Sequence, residues 1–399
     1  MVDVATLGTF AVAAAASLFM AWAIGAGSSG STPFAPAVGA NAISVMRAGF
    51  IVGILGFAGA VLQGANVSEA VGNELVRNVV LSPEAATIGL TIAAALVAIG
   101  VFAGYPIATA FTVTGAVIGV GLAMGGAPAW AKYQEIAALW ILTPFVGGGL
   151  AYAIARLLRD EPIPERYLII GLAAIIGAIV ANIEFAVLGP ADAGGASVAV
   201  ATGELLPGPQ LVGVAVTTAV IMALWAGMLA LDLRTDLDRG ERHFLLILGA
   251  LVAFSAGGSQ VGLAIGPLIP LSGDLEIPLL ALLFGGGFGL LLGSWTGAPR
   301  MIKAISQDYS SLGPRRSIAA LMPSFAIAQT AVLYGIPVSF NEIIVSSIIG
   351  SGYAAAGAGG GGGVSAQKMG YTVLAWVLSL ALSLGVSYVG YVAVDALIL

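Results

Sequence analysis

The sequence contains no cysteine and a single histidine, His243. The first absence removes thiol nucleophiles, thiolate metal ligands and disulfide staples, and the second removes any histidine-rich metal cluster. Charge is nearly as scarce: Asp, Glu, Lys and Arg make up 9% of the 399 residues, 14 basic against 20 acidic, where a soluble protein carries about 25%. So little charge cannot cover a water-facing surface, and a net charge of −6 offers no basic field to a nucleic acid. Apolar residues take its place at 59% of the chain, enough for roughly ten spans of about 20 residues. The expected class is therefore an all-α polytopic protein, multi-pass in the cell membrane. The start reads as a first helix rather than a removable leader, because acidic Asp3 stands where a basic region belongs and no small-residue cleavage site follows.

Apolar stretches fall near 46–64, 86–103, 107–124, 136–155, 167–189, 210–230, 244–270, 278–298, 318–334, 343–357 and 371–394. With the N-terminal run they predict about 10–12 membrane segments, some of which dip in and return. Basic residues in short loops set the orientation. The loop with Arg156, Arg159 and Arg166 and the loop with Arg234, Arg239 and Arg242 are expected on the cytoplasmic side. The intervening link, 190–209, holds Asp192 and Glu204 but neither Lys nor Arg, and is expected outside. This divides the chain into a first transmembrane repeat (1–155), linking segments (156–242) and a second repeat (243–399). The run Gly359–Gly363 reads as a flexible turn.

Glycine is abundant, 57 residues against 18 prolines, about twice the usual share of about 7%. Small residues let membrane helices approach closely, and Gly with Pro marks helices broken inside the protein. The breaks recur. AGYPIATAFTVTGAVIGVGLAMGG at 103–126 is echoed by YGIPVSFNEIIVSSIIGSGYAAAG at 334–357, and AIGAGSSGSTPFAPAVGA at 23–40 by FSAGGSQVGLAIGPLIP at 254–270. Corresponding interrupted segments in two halves point to a binding site near the bilayer midplane of a secondary transporter, built from two inverted-topology repeats with broken or re-entrant helices.

These segments resemble the signatures of the inorganic phosphate transporter family, secondary permeases for phosphate with sulfate-transporting members. One family signature is Gly-Ala-Asn-Asp followed by small residues and Asn; here Gly25-Ala26-Gly27-Ser28 and Gly257-Gly258-Ser259-Gln260 occupy its two positions. The other is Gly-X-Pro-Val-Ser-Thr-Thr-His; Gly104-Tyr105-Pro106-Ile107-Ala108-Thr109 and Gly335-Ile336-Pro337-Val338-Ser339 occupy it. The resemblance covers nearly the whole chain, including WILTPFVGGGLAYAI at 140–154. It implies secondary transport of inorganic phosphate by alternating access, with sodium ion or proton as coupling ion, no other cofactor and no metal site. Its partners are inorganic phosphate or another small oxyanion and membrane lipid, with a homodimer left open and no nucleic acid.

The departures narrow the chemistry. The signature aspartates are replaced by Ser28 or Ser29 and by Gln260, and the family histidines by Phe111 and by Glu342 or its neighbour. Two membrane carboxylates are missing, which leaves the coupling ion open. The segment 64–75 keeps an acid, Glu69, whereas its counterpart at 295–306 has Lys303 where a second Glu is expected. Ionisable groups in membrane segments default to a functional reading; with Asn66, Glu69 and Lys303 are candidates for coupling or the ion path, against a structural ion pair or, for Lys303, interfacial snorkelling. A tetrahedral oxyanion needs donors from several directions. Ser28, Ser29, Ser31, Thr32, Ser259 and Gln260, completed by Thr109 and Ser339, form the candidate substrate set, aided by inward helix N-termini. The alternatives are a permease for sulfate or another small oxyanion and, from another class, a non-transporting membrane receptor or assembly protein. An enzyme is not expected, since Glu69, Glu184, Glu342 and scattered serines form no nucleophile and base pair.

Overall fold

The computed structural model describes residues 4–160, 163–186, 188–189, 195–356 and 364–398; the Gly359–Gly363 run and Asp192 lie outside them. Among the described residues, ten helices are long and apolar enough to cross a membrane, as expected where lipid cannot satisfy backbone polar groups and each span must satisfy its own.

The chain begins with α1 (Val4–Ile24), which passes into a π-type turn (Gly25–Ser29) and the short α2 (Ala35–Gly39). Then come α3 (Val45–Gln63), the amphipathic α4 (Ala65–Asn73), α5 (Pro83–Ala103), α6 (Thr109–Ala123) and α7 (Trp130–Asp160). A link of α8 (Glu165–Asn182), α9 (Val198–Gly203) and α10 (Gln210–Thr235) packs largely on itself. The second series is α11 (Leu237–Ile265), a 3-10 turn (Gly266–Leu268), α12 (Ile269–Ser272), α13 (Leu279–Thr296), the amphipathic α14 (Ala298–Asp308), α15 (Pro314–Leu333), α16 (Phe340–Ala356) and α17 (Ala366–Ile398). Element by element, α11–α17 repeats α1–α7: a broken long helix, a span, a short amphipathic connector, a span, a shorter helix and a long final helix.

The packing repeats as well, and it is crosswise. α3 lies on α11 as α13 lies on α1, and α6 lies on α17 as α16 lies on α7. Glycine permits this intimacy. A methyl group added at Gly257 would collide with the Gly56 carbonyl, and one at Gly350 with the Gly148 carbonyl, so α3 and α11, and α7 and α16, touch backbone to backbone.

The expected boundaries at 155 and 242 fall inside helices. Arg156 bonds Asp160 at 2.9 Å one turn on, which carries α7 past its apolar stretch. Asp236 accepts from the Arg239 N–H at 3.2 Å, an N-cap that starts α11 well before its apolar part.

The Gly-X-Pro segments break the chain identically. Gly104 ends α5 with φ 76° and Gly335 follows α15 with φ 60°, a left-handed conformation that suits glycine. Pro106 and Pro337 then hold the chain extended before it re-enters as α6 and α16. α6 has 15 residues, a length of about 22 Å against a hydrocarbon core of about 30 Å. It is buried on every side over Thr109–Gly121, so it sits in protein and not in lipid.

Candidate functional site

The broken segments meet at Gln260, which is fully buried on α11. Its Oε1 accepts from Thr109 Oγ1 at 2.8 Å and from Ser28 Oγ at 3.1 Å, while its Nε2 donates to the Val338 carbonyl at 2.5 Å. One amide thus ties together all four signature segments: the π-type turn after α1, the first residue of α6, α11 itself and the loop before α16. The arrangement is neutral. Substituting carboxylates at Ser28 and Gln260 would place two negative charges in contact; a hydroxyl and an amide instead satisfy each other.

Around this knot stand buried polar atoms with no protein partner: Ser29 Oγ, Ser259 Oγ, Ser339 Oγ and Asn341 Oδ1. Each lies within three residues of a member of the knot, and a buried unpaired polar atom costs about 1–3 kcal/mol. Four at one junction are what a ligand with oxygens on several sides would satisfy. Ser31 Oγ and Thr32 Oγ1 are differently engaged: both donate to the Ser28 carbonyl, at 3.2 and 3.1 Å, and so brace the π-type turn. Such turns cluster at functional sites.

Asn341 is a residue that the sequence reading missed. Its Nδ2 donates to the Gly27 carbonyl at 2.9 Å and to the Ile107 carbonyl at 2.6 Å, tying α16 to both first-half breaks. Two tryptophans were missed as well. Trp140 Nε1 on α7 donates to the Pro337 carbonyl, and Trp376 Nε1 on α17 donates to the Pro106 carbonyl, each at 2.8 Å. The final helix of each series clamps the Gly-X-Pro loop of the other. Trp140 also stacks on Phe111, with ring centroids 3.8 Å apart.

The coupling candidates are not part of this centre. Glu69 is exposed on α4, its Oε2 accepting from Asn73 Nδ2 at 2.9 Å. Asn66 is exposed on the same helix and reaches the Val332 carbonyl at 3.4 Å. Lys303 is exposed on α14. α4 packs on the break after α11 while α14 packs on the break after α1, so both residues sit on amphipathic connectors whose polar faces point outward. The deeply buried acid is Glu342, 2% exposed, whose Oε2 has no partner.

Paired broken helices, crosswise packing and a buried polar junction on protein-enclosed short helices define a polytopic membrane protein of the transporter type. Residues 24–387 match the model of the phosphate transporter family, and the chain belongs to that family. A relative from Arabidopsis thaliana, named inorganic phosphate transporter 2-1, chloroplastic, is 24% identical over 91% of this chain and 68% of its own length. Among solved structures, the sodium-dependent phosphate transporter matches with a TM-score of 0.78, at 20% identity, over 98% of this chain and 100% of that one.

Proposed function

We propose that this protein is a secondary transporter that carries inorganic phosphate across the cell membrane by alternating access, with Ser29, Ser259, Ser339 and Asn341 as its oxyanion ligands. The observation that carries this reading is the set of four unpartnered buried polar atoms beside the Ser28–Gln260–Thr109 knot. Hydroxyls hold an oxyanion by donation, and the Asn341 Oδ1 accepts from a protonated phosphate oxygen. In the structure the knot is closed. Loading therefore requires Gln260 to release Ser28 and Thr109, which frees two further hydroxyl donors and the Gln260 Oε1 acceptor.

The repeated element order supports two inverted repeats, spanning α1–α7 and α11–α17, that rock about the shared centre. On this reading Ser31 and Thr32 hold the turn that presents Ser28 and Ser29, while Glu69, Asn66 and Lys303 line the approaches from opposite ends. Phosphate is favoured over sulfate because an acceptor, Asn341 Oδ1, stands among the donors, and only phosphate brings a proton to meet it near neutral pH. The sodium dependence named for the structural neighbour makes sodium a coupling ion to test. The centre itself offers it hydroxyl and carbonyl oxygens but no carboxylate.

Uptake of labelled phosphate into vesicles containing the purified protein is expected to saturate and to be inhibited by unlabelled phosphate far more than by sulfate. Saturable sulfate uptake without phosphate uptake would transfer the assignment to sulfate. Binding of phosphate without uptake would establish the receptor alternative.

A further inference from the structure

Glu342 is the most deeply buried acid among the described residues, and the phosphate-binding scheme leaves it unused. It lies in the first turn of α16, directly after Asn341, on the wall of a crevice of about 770 Å³ between α6, α7, α16 and α17. The crevice is lined mainly by apolar groups, including Phe111, Trp140, Val345 and Trp376. Tyr152 and Tyr353 are the only other titratable side chains among its described lining residues, and none of that lining is cationic.

Among the described residues, no nearby charge compensates a Glu342 carboxylate. The cations on the helices packed against α16 are engaged near helix ends: Lys132 with Glu74 and Glu135, Arg156 and Arg159 with Asp160, Arg315 with Glu165, and Arg316 with the Ser311 carbonyl. On α17, Lys368 pairs with Asp308, and Asp395 stands 19 residues beyond Trp376, about 28 Å along the helix. α6 bears no charged residue. An isolated carboxylate in such a place neutralises itself by taking a proton. The ionised form therefore requires another arrangement, one in which water reaches α16.

Polar atoms mark the side from which a proton would come. On the turn that precedes Glu342, Ser339 Oγ and Asn341 Oδ1 are buried and unpartnered, and Val338 and Asn341 are bonded into the signature junction. Glu342 itself also lines the apolar crevice.

We propose that Glu342 is the coupling-proton site of the transporter: it binds one proton when the junction is open to the donor side, is neutral while the centre is closed, and releases that proton on the other side together with phosphate. This rests on the transport reading of the same junction. Because Asn341 grips Gly27 and Ile107 from the same helical turn, hydration of an ionised Glu342 would loosen the grip that keeps the centre shut.

The test uses vesicles loaded with the full-length protein, labelled inorganic phosphate and the variants E342Q and E342D. With voltage clamped at zero and no sodium, the wild type is expected to accumulate phosphate about tenfold for one unit of inward pH gradient and one proton per phosphate. E342Q, a permanently neutral isostere, is expected to retain phosphate–phosphate exchange while losing accumulation driven by the pH gradient. E342D is expected to keep coupling with a displaced pH profile, and it decides the matter if E342Q does not fold. Gradient-driven accumulation by E342Q, or an unchanged profile in E342D, overturns the proposal. So does wild-type uptake that follows sodium and ignores the pH gradient. Absence of any phosphate exchange by the wild type instead refutes the transport reading beneath it.

Discussion

The two re-entrant helices share a backbone plan and divide the chemistry unequally. Both follow a left-handed glycine and an X-Pro step, and both have their loop carbonyl clamped by a tryptophan at 2.8 Å. In register from the prolines, Thr109-Ala110-Phe111 opens α6 and Phe340-Asn341-Glu342 opens α16. α6 contributes one hydroxyl and an aromatic ring stacked on Trp140. α16 contributes the amide that holds both first-half breaks and the buried acid. The backbone plan is thus repeated, while the bridging amide and the buried acid stand on α16.

The sharpest way to break that contrast is Asn341→Leu, which orphans the Gly27 and Ile107 carbonyls. Phosphate uptake is expected to fall about a hundredfold, the scale on which a ~1 Å misplacement costs function. Thermal unfolding in detergent should show a loss of about 1–3 kcal/mol. Ala110→Leu, at the matching place in α6, tests only packing; an equal loss of uptake there would remove the asymmetry. Next is Gln260→Glu, which replaces the donor to Val338 by a charge that repels phosphate. Uptake without sodium is expected to drop about thirtyfold, since like charges in close contact cost several kcal/mol. Recovery in sodium would show a cation recruited to the restored acid.

The clamps should differ less. Trp140→Phe and Trp376→Phe each lose one hydrogen bond, worth about 1 kcal/mol, and stability in detergent measures both. The α7 variant is expected to be the more damaging if its indole also positions Phe111. Thr109→Val removes one of two donors to Gln260 and should lower uptake only about threefold. Smallest of all, Glu69→Gln and Lys303→Gln are expected to shift half-saturation less than about twofold at physiological salt, where exposed charges are screened. A larger effect would move these connectors from the approaches into the site.

What the sequence disclosed and what it hid follow from the range of the interactions. Gly104-Tyr105-Pro106 and Gly335-Ile336-Pro337 act on their own backbone, so their break of the helix is written locally. Scarce charge and long apolar runs announce a polytopic protein of about 10–12 segments for the same reason, and ten of the described helices are long and apolar enough to span. Gln260 was visible as a departure from a signature, though its contacts to Thr109 and Val338 were not. Trp140 and Trp376 were hidden because each acts on a carbonyl 197 or 270 residues away. A periodic reading sees only an aromatic in a lipid-facing helix. Asn341 was hidden for the same reason, since the carbonyls it holds lie 314 and 234 residues away. Glu69 and Lys303 drew notice as rare charges in apolar surroundings, yet α4 and α14 are short amphipathic helices that turn those charges outward.

The crossed tryptophan clamps have one more consequence. Because α7 holds the loop before α16 and α17 holds the loop before α6, neither half owns its own hinge. A rotation of one series against the other would load both loops at once, much as meshed gears share a load. Separately expressed halves would each carry a loop without its fastening.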